Sequence, residues 1–222
     1  MQKGKGTRAV HAGVKPCEAT GAIMTPIYQT STYVQEGVGN HKGYEYSRTL
    51  NPTRHALEQA LAELEGAKHG LVFGSGLAAM DNLIKILKPG DEVISTDDLY
   101  GGSYRLFRTV FENYGIKFHF VDLSNLEVLK STVNENTRMV WIETPTNPMM
   151  KITDIKAVAE AVSGNDTLVC VDNTFATPVF QRPLEQGADI VVHSTTKYIG
   201  GHSDVVGGVL ITSNDDLASQ FS

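Results

Sequence analysis

Lys197 sits in the run His193-Ser194-Thr195-Thr196-Lys197-Tyr198-Ile199-Gly200-Gly201-His202. A lysine amine can condense with an aldehyde to form a Schiff base, chemistry open to no other side chain. Ser194 and Thr196 flank the lysine with hydroxyls that can bond an anion such as a phosphate. The apolar residues Ile190-Val191-Val192 before them read as a buried strand. Lys197 is therefore placed just past a strand's C-terminal end, where open α/β sheets bind ligands. Taken alone, a lysine in a Ser/Thr loop is far more often solvated or paired with a carboxylate.

Other strand ends carry matching groups. Asp172 closes Leu168-Val169-Cys170-Val171 and has Asn173 and Thr174 beside it. A carboxylate there can pair with a protonated ring nitrogen and favour its charged form. Tyr100 follows Asp97-Asp98-Leu99 and offers a ring for stacking on a planar group. Asn147, in Glu143-Thr144-Pro145-Thr146-Asn147-Pro148, can aim an amide from a proline-shaped loop. Gly76 and Leu77, in Gly74-Ser75-Gly76-Leu77-Ala78, fall where a strand gives way to a helix. Free N–H groups and the dipole favour a phosphate at such a helix start. The spacing is neither Gly-x-x-x-x-Gly-Lys-Ser/Thr nor Gly-x-Gly-x-x-Gly, since Ala79 stands at the last position. Each residue singly also reads as turn chemistry. Together they match one ligand with a ring nitrogen, a phosphate and an aldehyde: pyridoxal 5′-phosphate. No metal site is read from the sequence.

The elements that must hold these groups alternate from Thr53 onward. Leu57, Ala60, Leu61 and Leu64 mark one face of a helix, with Asn51-Pro52-Thr53 as its start and Gly66 as its stop. Strands are predicted over 70–73, 92–95, 117–121, 138–142, 167–171, 190–193 and 205–212. Helices are predicted after Gly76 and over 101–114, 126–133 and 154–162, with a helix start after Asn214. Alternating strands and helices, with near-continuous apolar strands, imply an α/β fold. Its sheet is mostly parallel and covered by helices on both faces. Residues 1–52 show no period, yet Ile23, Ile27, Tyr28, Tyr33 and Val34 need cover. They read as an arm reaching a neighbouring subunit, and 53–222 as one large domain.

The 222 residues carry a formal charge of −6, with 41% hydrophobic residues, so a large core is expected and general disorder is not. The mild acidity leaves no footprint for nucleic acid or an anionic membrane. Cys17 and Cys170 cannot form a disulfide framework, and Cys170 reads as a core residue. A reducing, cytoplasmic setting is expected. No run reaches the roughly 20 apolar residues of a membrane span, and Met1 to Gly13 lacks the apolar stretch of a signal peptide.

These landmarks resemble the pyridoxal-phosphate enzymes of cysteine and methionine metabolism, typified by cystathionine γ-lyase and cystathionine γ-synthase. The resemblance is carried by Tyr46-Ser47-Arg48, Asn51-Pro52-Thr53, Ser75-Gly76-Leu77-Ala78-Ala79, Asp98-Leu99-Tyr100-Gly101-Gly102, Glu143 to Pro148, Val171 to Phe175 and Ser194 to Tyr198, with Gly201-His202-Ser203-Asp204. It implies the type I fold of aspartate aminotransferase. It implies that Lys197 anchors the cofactor and moves protons, Asp172 pairs with the ring nitrogen, and Tyr100 stacks and protonates the leaving group. Gly76, Leu77, Ser194 and Thr196 would hold the phosphate, with Asn147 near the ring hydroxyl and Thr174 near the cofactor. Tyr46 and Arg48 would reach a neighbour's phosphate across a dimer, two dimers making a tetramer. The small-molecule substrate would be an amino acid. Wording such as Trp141 to Pro148 and Phe180 to Leu184 looks more like the γ-lyases, which cleave cystathionine to cysteine, 2-oxobutanoate and ammonia. A γ-synthase, joining cysteine to an O-acyl-homoserine, and a non-catalytic cofactor-binding fragment are the alternatives. Methionine γ-lyases carry a cysteine where Gly102 stands. The family's C-terminal small domain, with its carboxylate-gripping arginine, has no counterpart before Ser222.

Overall fold

The computed structural model describes residues 4–222. Its centre is a seven-stranded sheet of β1 (His69–Phe73), β2 (Glu92–Thr96), β3 (Lys117–Val121), β4 (Thr137–Glu143), β5 (Leu168–Asp172), β6 (Ile190–His193) and β7 (Gly208–Thr212). The strand order is β1-β7-β6-β5-β4-β2-β3. β3, β2, β4, β5 and β6 pair in parallel, while β7 is antiparallel to both β6 and β1. β1 therefore runs the same way as β6. The C-terminal ends of β1, β2, β4, β5 and β6 share one edge of the sheet.

The helices are α1 (Lys5–His11), α2 (Pro52–Glu65), α3 (Gly76–Ile84), α4 (Gly101–Thr109), α5 (Leu126–Thr132), α6 (Ile155–Val162), α7 (Thr177–Phe180) and α8 (Asp215–Phe221). Side chains alternate across each strand, so each face has its own core. Met139, Trp141, Cys170, Ile190, Val192 and Leu210 pack against α3, α4 and α8 through Met80, Leu83, Phe107 and Phe221. Val140, Ile142, Val169 and Val171 pack against α5 and α6 through Leu129, Ile155 and Val158. Leu61 of α2 covers Val191, Val209 and Ile211. Phe107 stacks on Phe118 at 4.6 Å and meets Trp141 edge-on at 5.5 Å. Each such fully buried large apolar side chain stabilises by about 1.5–3 kcal/mol. The mostly parallel sheet with helices on both faces is the expected architecture.

Local details differ from the expected elements. α1 lies where no period is visible; it has no side-chain cap and no buried residue, so nothing amphipathic marks it. The helix expected over 101–114 ends as α4 at Thr109, and a 3₁₀ turn covers Phe111–Tyr114. Thr109 Oγ1 donates to the Arg105 carbonyl and Asn113 Nδ2 to the Thr109 carbonyl, so side chains contend for the backbone there. The strand expected from 205 begins only at Gly208. Thr196 Oγ1 takes the Gly207 N–H at 3.1 Å, which keeps that residue out of the ladder.

Candidate active site

The shared edge opens into a cavity of about 200 Å³ lined by Glu143 and Asp172 at the ends of β4 and β5, by α3, and by the loops that follow β1, β2, β4, β5 and β6. One end is built for an anion. Ser75 caps α3, its Oγ accepting the Ala78 N–H at 3.0 Å. That leaves the first amides of α3, at Gly76 and Leu77, at the cavity wall. A Cβ on Gly76 would lie 2.8 Å from Ser194 Cβ and 3.0 Å from its Cα. Only glycine lets α3 approach the β6 loop this closely. Thr174 Oγ1 accepts the Ser194 N–H at 2.9 Å, tying the β5 and β6 loops together. Thr196 Oγ1 is fixed by Gly207.

The other end is acidic. Asp172 and Glu143 end adjacent strands and are register partners. Each is 5% exposed. Burial pushes the Asp172 carboxyl up, against the pull of its bond from Thr174 N–H at 3.0 Å. Burial, and then the neighbouring Asp172 charge, pushes Glu143 up to about 8. Asp172 forms no ion pair among the described residues, although a buried carboxylate needs a cationic or hydrogen-bonding partner. On the opposite face of the sheet, His193 and Glu65 are fully buried and bonded, Nε2 to Oε1, at 2.6 Å. Asn173 Nδ2 donates to the same Glu65 oxygen at 2.8 Å and to the Gln181 carbonyl at 3.0 Å. This network holds the residue after Asp172 and the residue before Ser194.

Tyr100 stands at the mouth, 46% exposed, with its N–H donated to Glu143 Oε2 at 2.9 Å. Its ring folds back over Gly102, where a Cβ would come within 2.2 Å of Tyr100 Cε1. Asn147 lines the cavity from a loop that Asp98 fixes, accepting from the Met149 N–H at 2.9 Å and from the Thr146 hydroxyl. Lys197 also lines the cavity, and its Nζ has no hydrogen-bond or ion-pair partner among the described residues.

The sequence-expected residues Gly76, Leu77, Tyr100, Asn147, Asp172, Thr174, Ser194, Thr196 and Lys197 thus converge on one cavity. Tyr46 and Arg48 do not line it. Arg48 Nη2 donates to the Tyr46 hydroxyl at 3.0 Å, and the guanidinium sits over that ring at 5.1 Å. Their expected place is a neighbour's cavity. Sequence reading passed over Glu143 as a site group, although it ends a strand as Asp172 does. Met80, Phe175 and Val206 add an apolar wall and carry no polar signal. The Glu65–His193 pair was not anticipated either, because its members are 128 positions apart. Among the described residues, no cluster of His, Cys, Asp and Glu is arranged to hold a metal ion.

An anion cradle, a buried unpaired carboxylate, a ring and an unengaged lysine fit pyridoxal phosphate at each of its groups. The chain matches the family described as Cys/Met metabolism PLP-dependent enzymes over residues 6–222. It belongs to that family. Pyridoxal 5′-phosphate is accordingly its cofactor. The chain is 56% identical to the probable cystathionine gamma-synthase of Herpetosiphon aurantiacus over 98% of its length. It is 50% identical to the cystathionine beta-lyase of Coxiella burnetii and 53% to the cystathionine gamma-lyase of Dictyostelium discoideum, over 97% of its length in both. It spans 68% of the first of these relatives and 56% of the other two. The crystal structure of metB from Corynebacterium glutamicum superimposes with a TM-score of 0.98 at 50% identity, covering 99% of this chain and 58% of that one. The cystathionine gamma-lyase of Lactobacillus plantarum complexed with L-serine gives 0.96 at 41%, covering 99% and 57%. No helix among the described residues is long and apolar enough to cross a membrane.

Proposed function

We propose that this chain is the cofactor-binding part of an enzyme that breaks or makes the carbon–sulfur bond of cystathionine. The observation that carries this reading is the convergence of Lys197, Asp172, Tyr100 and the α3 N-terminus on one cavity. Bound pyridoxal phosphate supplies an electron sink for charge developing at the substrate's α-carbon. The protein's own groups supply the rest. The α3 amides with Ser194 and Thr196 bind the phosphate. Asp172 holds a proton on the ring nitrogen through its negative charge. Lys197 would anchor the cofactor covalently, and once the substrate's amino group has displaced it, its freed amine takes and returns the Cα proton. Tyr100 covers the ring and gives a proton to the departing sulfur. Tyr46 and Arg48 complete a neighbour's phosphate site within a cytoplasmic homo-oligomer, a dimer of dimers.

Within this chemistry, γ-elimination of cystathionine to cysteine, 2-oxobutanoate and ammonia is the proposed reaction. It is supported by the wording of Trp141 to Pro148 and Phe180 to Leu184. A second reading, γ-replacement on an O-acyl-homoserine, is favoured by the 56% identity to a probable cystathionine gamma-synthase.

The test begins with the visible spectrum of the protein mixed with pyridoxal phosphate. A band that borohydride bleaches, with the cofactor mass then found on Lys197, supports the anchor. Lys197→Ala should lose that band and turnover by about 10³-fold or more, with the circular dichroism unchanged. Retained γ-elimination in this variant would sink the mechanism. Cystathionine and O-acyl-homoserine with cysteine, offered side by side, separate the two reactions.

A further inference from the structure

Glu143 is the one acidic group of the cavity that the proposed chemistry leaves without a task. Its position is specific. It is the register partner of Asp172 on the adjacent strand, and neighbouring strands lie about 4.8 Å apart. Register partners project to the same face, so both carboxyls enter the cavity side by side. Its Oε2 holds the Tyr100 N–H at 2.9 Å.

We propose that Glu143 is a positioning residue: it stays a neutral acid, fixes the Tyr100 backbone over the ring, and leaves the negative charge at the ring nitrogen to Asp172 alone. This rests on the pyridoxal-phosphate reading of the cavity. Two buried carboxyls so close cannot both ionise cheaply, so the pair carries one proton between them. The other groups decide which member keeps it. Thr174 N–H bonds Asp172, and His193 favours its charge from the far side of the sheet. Facing Glu143 are Asp98 and Asp172, both of which oppose its charge, and the Tyr100 and Asn147 amides, which favour it. Lys197 lines the same cavity. Burial with two acidic neighbours prevails, and Glu143 titrates near 8, above the ordinary carboxylate range. A pyridinium paired to Asp172 would stabilise the charge on that carboxylate further.

Infrared difference spectroscopy of the chain, with and without pyridoxal phosphate, tests this directly. A protonated-carboxyl band should be present at neutral pH, fade as pH rises through about 8, and be missing in Glu143→Gln. In Asp172→Asn the same band should fade at least about one pH unit lower. No such band in the wild type, or a band that survives Glu143→Gln, overturns the proposal. Retention of pyridoxal phosphate supplies the positioning readout. Glu143→Ala should weaken it about tenfold, since the half-buried Tyr100 N–H loses its acceptor and its hold on the ring, while Glu143→Gln should hold it near wild type. Equal loss in both variants overturns the neutral-acid role. If the wild type takes up no pyridoxal phosphate, the functional reading fails, and the infrared titration still decides the state of Glu143.

Discussion

Gly76 shows how much one missing methyl can decide. With alanine, the new Cβ would press on Ser194 Cβ and Cα, and backbone cannot swing aside as a flexible side-chain tip can. Either α3 or the β6 loop must retreat, and both carry the phosphate end. Gly76→Ala should therefore lower affinity for pyridoxal phosphate by about tenfold or more, measured by equilibrium titration of the visible band. Unchanged affinity would mean the cradle is not where the phosphate sits. Glu143 sets a pH dependence at the same scale. Its carboxyl titrates at 4.5 in the unfolded chain and near 8 in the fold. Between those values the folded chain holds a proton that the unfolded chain has released. Stability from this group is thus complete below the unfolded value and is lost as pH rises through the folded one. Urea midpoints taken from about pH 5 to about pH 9 should fall more steeply in wild type than in Glu143→Gln. Parallel profiles would place the proton elsewhere.

At the scale of elements, caps and strand ends do most of the positioning. Asn51 is the plainest case. Its side-chain oxygen accepts from the Thr53 and Arg54 amides at the start of α2, and its Nδ2 donates to the Tyr28 carbonyl at 2.9 Å. Asn51→Ala loses the cap and the tie to the arm together. It should cost about 1–2 kcal/mol in chemical denaturation, with the far-ultraviolet spectrum little changed. A cost near zero would show that the arm is held by Thr53 and Arg54 without it. The order of these elements was legible because apolar runs and punctuating residues such as Asn51, Gly66 and Pro89 mark them locally. Asp172, Tyr100 and Lys197 were legible for the same reason: each follows a strand that can be seen in the sequence. What stayed hidden depends on pairing across the fold. That β7 runs antiparallel, that Glu143 stands beside Asp172, and that Glu65 reaches His193 are all set by register and crossover. The break after Thr109 was hidden too, since side chains rather than hydrophobic period end α4.

At the scale of the whole molecule, the arm and the sheet edge make unequal demands. The base of the arm is tied to α2 by polar bonds, with Thr53 Oγ1 donating to the Pro26 carbonyl at 3.0 Å and accepting the Tyr28 N–H at 2.9 Å. Its apolar side chains are left in the open: Ile27 is 85% exposed and Val34 90%, with Ile23 and Met24 beside them. So many large apolar side chains left exposed on one segment point to an interface. Burying each such side chain is worth about 1.5–3 kcal/mol, and the ordered arm sets them out together, so a second copy gains from covering them. The same arm carries Tyr46 and Arg48 away from its own cavity, as expected if they serve a neighbour's. Sedimentation should therefore find the protein well above its 24.1 kDa monomer mass. The paired substitutions Ile27→Asp and Val34→Asp should shift it toward the monomer, because charged groups would have to be desolvated in the interface. The monomer should keep its fold, since neither residue reaches the core. It should hold pyridoxal phosphate more weakly, through loss of the neighbour's Tyr46 and Arg48. A wild type that sediments as a monomer, or a substituted chain that stays associated, would remove the arm from the assembly and with it the shared phosphate site.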